Sequence, residues 1–388
     1  MHPSPLSHIT VVSVEQAIAA PFATRHLADL GARVIKVERP GGDFNRWHDT
    51  AARGLCSHFV WVNRSKESIC LDLKTPAGKE ALEKLVARAD VFVQNLAPGA
   101  VERLGFAADR LHREYPRLII CNISGYGPDG PYRDKKAYDL LIQGEAGVVS
   151  VTGTEEEPAK AGIPVADIAG GMYAFSAILT ALYSRERTGE GAVIDVSLFD
   201  GLCEWMGFPA YYALGAARLP RAGASHAAIA PYGPFPTGDG RTVLLSIQNQ
   251  REWNRFCSQV LERPEVATDP RFATNEQRVA NRPALHAIIQ EVFGQLTLEQ
   301  AVDRLEAARI ANGELRDVRE FWRHPQLTER GRITQVESAV GPLPALLPAV
   351  NIQGVQPRMD PIPDVGAHTE AILREIGDST AKTPDEHA

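Results

Sequence analysis

Short apolar strands alternating with amphipathic helices predict an α/β fold for this 388-residue chain, arranged in two lobes. Three observations carry the prediction. Ile9-Thr10-Val11-Val12-Ser13-Val14, a helical stretch opened by Pro21, and Val34-Ile35-Lys36-Val37-Glu38 follow one another in strand–helix–strand order, the pattern of a parallel βαβ unit. The chain is longer than the roughly 250–300 residues at which single cores stop growing. From Gly331 onward, Pro342, Pro344, Pro348, Pro357, Pro361 and Pro363 forbid long helices, so the chain must return in an extended form.

The elements follow from local pattern. The helix after the first strand carries Phe22, His26, Leu27 and Leu30 on one face before Gly31 stops it. Ser68–Lys74 reads as a third strand, and Thr75 then caps a helix with Pro76 in its first turn and Ala81, Leu82, Leu85 and Val86 inside. Asp90–Asn95, Leu118–Ile123 and Ala192–Leu198 are further strands, and Phe199–Leu214 is one apolar helical stretch. The segment from Arg221 to Pro236, rich in Gly, Ala and Pro, reads as a linker. Beyond it come a strand at Thr242–Ile247 and helices near 250–262, 283–295 and 298–309, the last with a Thr297/Gln300 capping box. A final helix falls near 368–376.

Composition excludes several classes of protein. With 44% hydrophobic and 23% charged residues the chain is neither disordered nor fibrous. A net charge of −7 without a basic block argues against duplex nucleic acid as a partner and for a small molecule. No apolar run approaches the roughly 20 residues of a membrane span, and Met1-His2-Pro3-Ser4-Pro5 lacks a signal peptide's pattern, so a cytoplasmic location is expected. Cys56, Cys70, Cys121, Cys203 and Cys257 form no C-x-x-C pair, which predicts reduced thiols and no metal site. The loop after the first strand, Glu15–Ala20, has no G-x-G-x-x-G, so a dinucleotide is not seated there in the usual way. Lys36, Arg39, Arg64, Lys66, Lys74 and Arg103 cluster around the expected strand ends and suggest a phosphate-rich ligand, against the alternative of scattered surface charge.

The stretch of greatest chemical interest is Ala161–Met172. An extended apolar run there delivers Asp167 to the start of a long helix, whose apolar residues Tyr173, Phe175, Ile178, Leu179, Leu182 and Tyr183 recur at helical spacing up to Thr188-Gly189. Two readings fit Asp167: a plain N-cap, or a carboxylate nucleophile kept ionised by the positive helix terminus.

Several short motifs in one order resemble the family III coenzyme A transferases, the group that includes formyl-CoA transferase, carnitine CoA-transferase and α-methylacyl-CoA racemase. They are Gln16-Ala17 with Pro21; Gly31-Ala32 before Val34–Gly41; Asn63-Arg64-Ser65-Lys66; Leu71-Asp72-Leu73-Lys74; Asn95 with Pro98-Gly99-Ala100; Gly125-Tyr126-Gly127; Asp167; and Asp364-Val365-Gly366-Ala367-His368-Thr369. The resemblance implies a Rossmann-like large domain in residues 1–220, a smaller α+β domain in 221–325, and a return through 326–388 to the large domain. It also implies an interlocked homodimer. No cofactor is implied beyond coenzyme A, or its acyl thioester, as substrate.

Carried over by position, Asp167 matches the aspartate that these transferases acylate, and Gln16 and Ala17 match residues at the thioester end of the CoA site. Arg39, Leu71, Lys74 and Arg103 match positions near the adenine and phosphates, and Asn95, Lys136 and Tyr138 positions along the pantetheine arm. Taken alone, Leu71 also reads as core, Lys136 as solvated and Tyr138 as a packed aromatic. Where the racemases resemble one another in a G-H-D segment, this chain has Ala137-Tyr138-Asp139, and tyrosine, with a pKa near 10, is a poor replacement for a histidine base. The glycine-rich loop of formyl-CoA transferase is replaced by Ser225–Gly233, which has a single glycine. His226 and Tyr232 there, with Arg46, His48 and Arg53 after the second strand, are candidate contacts for a dicarboxylic acceptor.

Overall fold

The computed structural model describes residues 4–215 and 219–377, so residues 378–388 of the expected closing segment lie outside them. The chain divides into two units, one of Met1–Val148, Ala161–Phe208 and Pro325–Ala388 and the other of Val149–Lys160 and Pro209–His324.

The sheet of the first unit holds β1 (Thr10–Val14), β2 (Arg33–Glu38), β3 (Lys66–Cys70), β4 (Val91–Gln94), β5 (Ile119–Ser124) and β6 (Val193–Ser197). All pair in parallel in the order β3-β2-β1-β4-β5-β6. The chain therefore winds outward from β1 and then reverses at β4, and this reversal opens a crevice at the carboxyl ends of β1 and β4. Apolar residues fill both faces: Val11, Val34, Val91, Val93 and Ile119 point to one core, and Val12, Ile35, Ile69, Phe92 and Ile120 to the other.

The crossovers and connections contain α1 (Ala19–Asp29), α2 (Ser57–Val62), α3 (Pro76–Val86), α4 (Ala100–Arg103), α5 (Ala108–Glu114), α6 (Asp139–Glu145), α7 (Val148–Val151), α8 (Val165–Thr188), α9 (Leu198–Trp205) and α10 (Gly207–Gly215). As expected, Thr75 caps α3 by accepting the Gly78 N–H, with Pro76 in the first turn. The apolar stretch expected as one helix over Phe199–Leu214 is two, because the chain breaks at Met206 after Ser197 caps α9. With 24 residues, α8 is long and apolar enough to cross a bilayer by length and composition, contrary to the expectation that no run approaches that size. Its apolarity has another use. Ala166, Ala174, Ile178 and Leu182 are buried in the same core as Ala20, Ala23 and Leu27 of α1. A Cβ at Gly171 would lie 2.7 Å from the Ala19 carbonyl oxygen, so glycine sets the closeness of the two helices.

The second unit contains an antiparallel sheet, β7 (Tyr232–Pro236), β8 (Thr242–Ser246) and β9 (Ala311–Glu314), in that order. The expected linker thus includes a strand. Its prolines, Pro234 and Pro236, hide a period-two pattern in which Gly233 and Phe235 face inward. The helix expected near 250–262 is a short α-helix, Gln250–Arg255, continued by a π-helical turn, and Thr297 with Gln300 closes the expected capping box.

The proline-rich return forms an antiparallel hairpin, β10 (Ile333–Val336) with β11 (Leu343–Leu346), before a last helix at Thr369–Glu375. The closing motif docks on the sheet's free edge. The Gly366 N–H donates to Ser68 Oγ, and the Ser68 and Cys70 N–H groups donate to His368 Nδ1 and Thr369 Oγ1, which occupies the open hydrogen-bonding groups of β3.

Candidate active site

The crevice between β1 and β4 is built around the turn Gln16-Ala17. Its backbone is held from both sides. Asn95, just beyond β4, accepts the Gln16 N–H at 2.9 Å and donates its amide to the Gln16 carbonyl at 2.8 Å. Asn45 donates to the Ala17 carbonyl at 2.9 Å, and Asp43 accepts the Ala17 N–H at 3.3 Å. Ala17 has φ of 60°, a left-handed conformation unfavourable to alanine, and the four surrounding bonds keep it there. These bonds occupy the backbone groups of residues 16 and 17 and leave the Gln16 side-chain amide as the group the turn can present. Asn95 thus fixes this turn with one bond from each end of its amide.

Beneath the turn lies an ionic network. Glu15 accepts from Lys66 Nζ at 2.7 Å, Ser13 Oγ at 2.7 Å and Thr24 Oγ1 at 2.6 Å, and Lys36 Nζ reaches Asp43 at 2.9 Å. Burial would raise the Glu15 carboxyl, but Lys66 and Lys36 hold it at about 2. Arg64 lies nearby, buried in a bidentate pair with Asp29 at 2.8 and 2.7 Å. Three of the six cations expected around the strand ends, Lys36, Arg64 and Lys66, are therefore structural. Arg46 is likewise committed: it pairs with Glu38 at 2.8 and 2.6 Å and lies over the Phe59 ring, so it is not open to an acceptor acid. Asp43 and Asn45 were missed in the sequence. A signal for Asp43 existed, since a lysine such as Lys36 in the middle of an inward-facing strand needs a buried anion.

Asp167 stands in the first turn of α8. The helix begins at Val165, three residues earlier than expected, with Pro164 at the cap position and no side-chain cap bond from it. The N-cap reading is thereby corrected. Capping is done by Asp139, in the first turn of α6, whose Oδ1 accepts the Ala166 N–H at 2.8 Å. Ile168 packs with Ile18 and Phe22, and Gly171, one turn on, abuts Ala19, so the first turn of α8 lies beside the Gln16-Ala17 turn. Among the described residues no cation pairs with Asp167. Desolvation first, and the charge of Asp139 second, push its carboxyl up to about 7. The expectation that the helix terminus keeps it ionised is corrected in the same way, because one helix end is outweighed by burial beside a second carboxylate. The N–H groups of Gly170 and Gly171 lie beyond the first turn, where the ladder that starts with Ile168 donating to Pro164 at 2.9 Å has begun, so they do not form an oxyanion hole.

The other expected ligand residues occupy the same sheet edge. Arg39 follows β2, Lys74 follows β3 and Arg103 lies in α4 after β4; all three are exposed, Arg39 and Arg103 resting on the Gly42 and Pro98 carbonyls. Leu71 is buried in the core, so its side chain is not a ligand contact. Lys136 and Tyr138 are exposed, with Tyr138 at the cap position of α6. Gly125 packs against Ala137, where a Cβ would come within 2.2 Å of the alanine methyl, and its carbonyl accepts from Phe199 N–H, which gives that motif a structural role. Arg53 is exposed and donates to the Pro342 carbonyl, and His48 is exposed. In the second unit His226 and Tyr232 stack in parallel, 5.2 Å apart.

A parallel sheet with a crevice at its reversal point, a fixed turn there and one unpaired carboxylate beside it define an acyl- or nucleotide-handling α/β enzyme. Residues 6–369 match the family described as CoA-transferase family III, and the chain belongs to that family. It is 32% identical over 378 residues to the human succinyl-CoA:glutarate CoA-transferase, covering 96% of this chain and 86% of that one. It is 36% identical over 334 residues to the acetyl-CoA:oxalate CoA-transferase of Acetobacter aceti, covering 85% of each. Among solved structures, a CAIB/BAIF family protein from Brucella suis superposes with a TM-score of 0.85 at 33% identity, covering 97% of this chain and all of that one.

Proposed function

We propose that the chain transfers CoA from succinyl-CoA to a small dicarboxylic acid through covalent intermediates on Asp167. The observation that carries this reading is the placement of Asp167: an uncapped carboxylate, without a cation, beside the turn that presents Gln16. Ionised Asp167 attacks the thioester carbonyl, giving an aspartyl–acyl anhydride and CoA thiolate. The thiolate attacks the aspartyl carbonyl, releases the donor acid and leaves an aspartyl-CoA thioester. The acceptor carboxylate attacks that thioester, expels the thiolate and forms a second anhydride, from which the thiolate takes the new acyl group and frees Asp167. The reaction needs no resident cofactor, because CoA enters and leaves as substrate.

An anhydride lies uphill of a thioester, so contacts to the distant nucleotide must lower the barrier at the carbonyl. Arg39, Lys74 and Arg103 serve that end, with Lys136 and Tyr138 along the arm, and the Gln16 amide steadies the oxyanion. The curated relatives above are named for glutarate and oxalate as acceptors, which supports a dicarboxylate here, and exposed Arg53 suits its second carboxylate. A racemase reading is disfavoured, since Tyr138 is a poor base and Asp139 is engaged at α8. The enzyme works as an interlocked homodimer, a reading supported by the exposed Tyr183, Trp205 and Phe208 on the first unit. Five free cysteines accord with a reducing cytoplasm.

Incubation with succinyl-CoA and hydroxylamine tests the chemistry: Asp167 converted to a hydroxamate supports it, and unmodified Asp167 under turnover overturns it. With succinyl-CoA as donor, glutarate should be a better acceptor than butyrate by about tenfold to a hundredfold in kcat/KM, the worth of a charged hydrogen bond. Equal values for the two classes would end the dicarboxylate assignment.

A further inference from the structure

Asp139 and Gln143 lie one turn apart in α6 and grip the approach to Asp167 at two points. Asp139 Oδ1 accepts the Ala166 N–H at 2.8 Å, and its Oδ2 accepts from Gln143 Nε2 at 2.6 Å. The other end of the same amide, Gln143 Oε1, accepts the Ala161 N–H at 2.9 Å. Gln143 is fully buried, with one bond from each end of its amide directed to this pair. Between the two anchors runs Gly162-Ile163-Pro164-Val165, where Gly162 and Ile163 are exposed and Pro164 supplies no side-chain cap. Within the run Val165 packs against the core, and α6 supplies side-chain hydrogen bonds at either end.

We propose that Asp139 and Gln143 are positioning residues that form a clamp on residues 161–166 and set the start of α8, and with it the direction in which Asp167 presents its carboxylate. This rests on Asp167 being the nucleophile. The clamp resolves a geometric conflict. A carboxylate in the first turn of a helix tends to fold back onto the free N–H groups, and a nucleophile occupied in that way would have to break those bonds before attack. By taking the Ala166 N–H from a neighbouring helix, Asp139 removes the competing donor. Attack on a carbonyl depends steeply on approach geometry, so a small drift of the first turn lowers the chemical step without altering the distant nucleotide contacts.

The test separates kcat from KM. Asp139→Ala should lower kcat by about tenfold to a hundredfold with KM for succinyl-CoA within threefold of the parent. Asp139→Asn keeps an oxygen acceptor for the Ala166 N–H but turns donors toward Gln143 Nε2, so the rescue is the paired exchange Asp139→Asn with Gln143→Glu, in which the new carboxylate accepts from both the new amide and the Ala161 N–H and most of the loss should be recovered. Hydrogen exchange at the Ala166 amide, read without turnover, should be slow in the parent and the paired variant and fast in Asp139→Ala. If Asp139→Ala does not fold, Gln143→Leu, which cuts the Ala161 tether and the bond to Asp139 Oδ2 but leaves the Ala166 contact, is read in the same way. An unchanged kcat, a loss confined to KM, or a paired Asp139→Asn, Gln143→Glu variant as poor as the alanine would overturn the clamp. If instead Asp167→Ala keeps its activity, the nucleophile reading has failed and not the clamp.

Discussion

Two carboxylates near the same crevice are treated in opposite ways. Glu15 is deeply buried yet receives Lys66, Ser13 and Thr24, and it stays ionised with its pKa at about 2. Asp167 keeps part of its surface open but has no cation, and burial beside Asp139 raises it to about 7. Burial alone therefore does not decide the state of an acid; the company it keeps does. The paired acid is scaffold, holding Lys36 and Lys66 under the Gln16-Ala17 turn. The unpaired acid is left reactive, because a carboxylate stabilised by several donors would be a weak nucleophile.

The largest effect should come from removing the unpaired acid. Asp167→Ala should reduce CoA transfer by roughly 10⁴-fold while leaving CoA affinity within a few fold, as measured by initial rates and calorimetry. Because Asp139 does the capping, the fold should survive. Residual transfer above about 1% of the parent would show that the two acids do not differ in the way described.

Removing a partner of the paired acid should instead be felt in stability. Lys66→Met leaves Glu15 buried with Lys36 at 3.5 Å as its remaining cation, and breaking such a buried pair costs about 3–5 kcal/mol. Urea unfolding would check this. A cost below about 1 kcal/mol would mean that water reaches Glu15 and that it is not a buried scaffold acid.

Charges on the rim should act on neither quantity but on KM. Arg39→Ala and Lys74→Ala remove exposed cations remote from Asp167, and each should raise KM for acyl-CoA by about tenfold to a hundredfold with kcat little changed, given roughly 1.5–3 kcal/mol per charged contact. Unaltered KM in both variants would place the nucleotide elsewhere.

How much of this could be read from the sequence follows the same division. Strands were legible wherever apolar residues predominated over four or more positions, as in β1, β2, β4 and β5, and helices where a cap was spelled out, as with Thr75-Pro76 and Thr297/Gln300. Asp167 stood out because it interrupts an apolar stretch. What stayed hidden was pairing at long range: Lys66 with Glu15 across 51 positions, Ala166 with Asp139 across 27, and Asn95 with Gln16 across 79. A cation bound for phosphate and one bound for a buried acid have the same letter in the sequence. β7 was hidden differently, since Pro234 and Pro236 outweighed the alternation of Gly233 and Phe235.

The smallest effect expected also tests the comparison most directly, because it asks whether Asp167 is unfavourable to the fold when charged. An acid whose pKa rises on folding, from near 3.8 to about 7, binds its proton more tightly in the folded chain. Stability is then lost as pH rises between those two values and is level above the upper one, the reverse of the behaviour of Glu15, whose contribution is lost as pH falls toward 2. Asp167→Asn is neutral at every pH, so its advantage over the parent should grow from pH 4 to pH 7 and then stay constant. It should reach on the order of 1–2 kcal/mol once the partial exposure of the residue is allowed for. The rate should run the other way. In the parent, kcat/KM should climb as Asp167 loses its proton, with a midpoint near pH 7, so the condition that costs the fold its stability is the one that supplies the nucleophile. Urea melts of parent and Asp167→Asn at pH 5 and pH 8 measure the first trend. A gap that is the same at both values, or that shrinks toward pH 8, would mean that a cation answers Asp167 after all and that the two acids are alike.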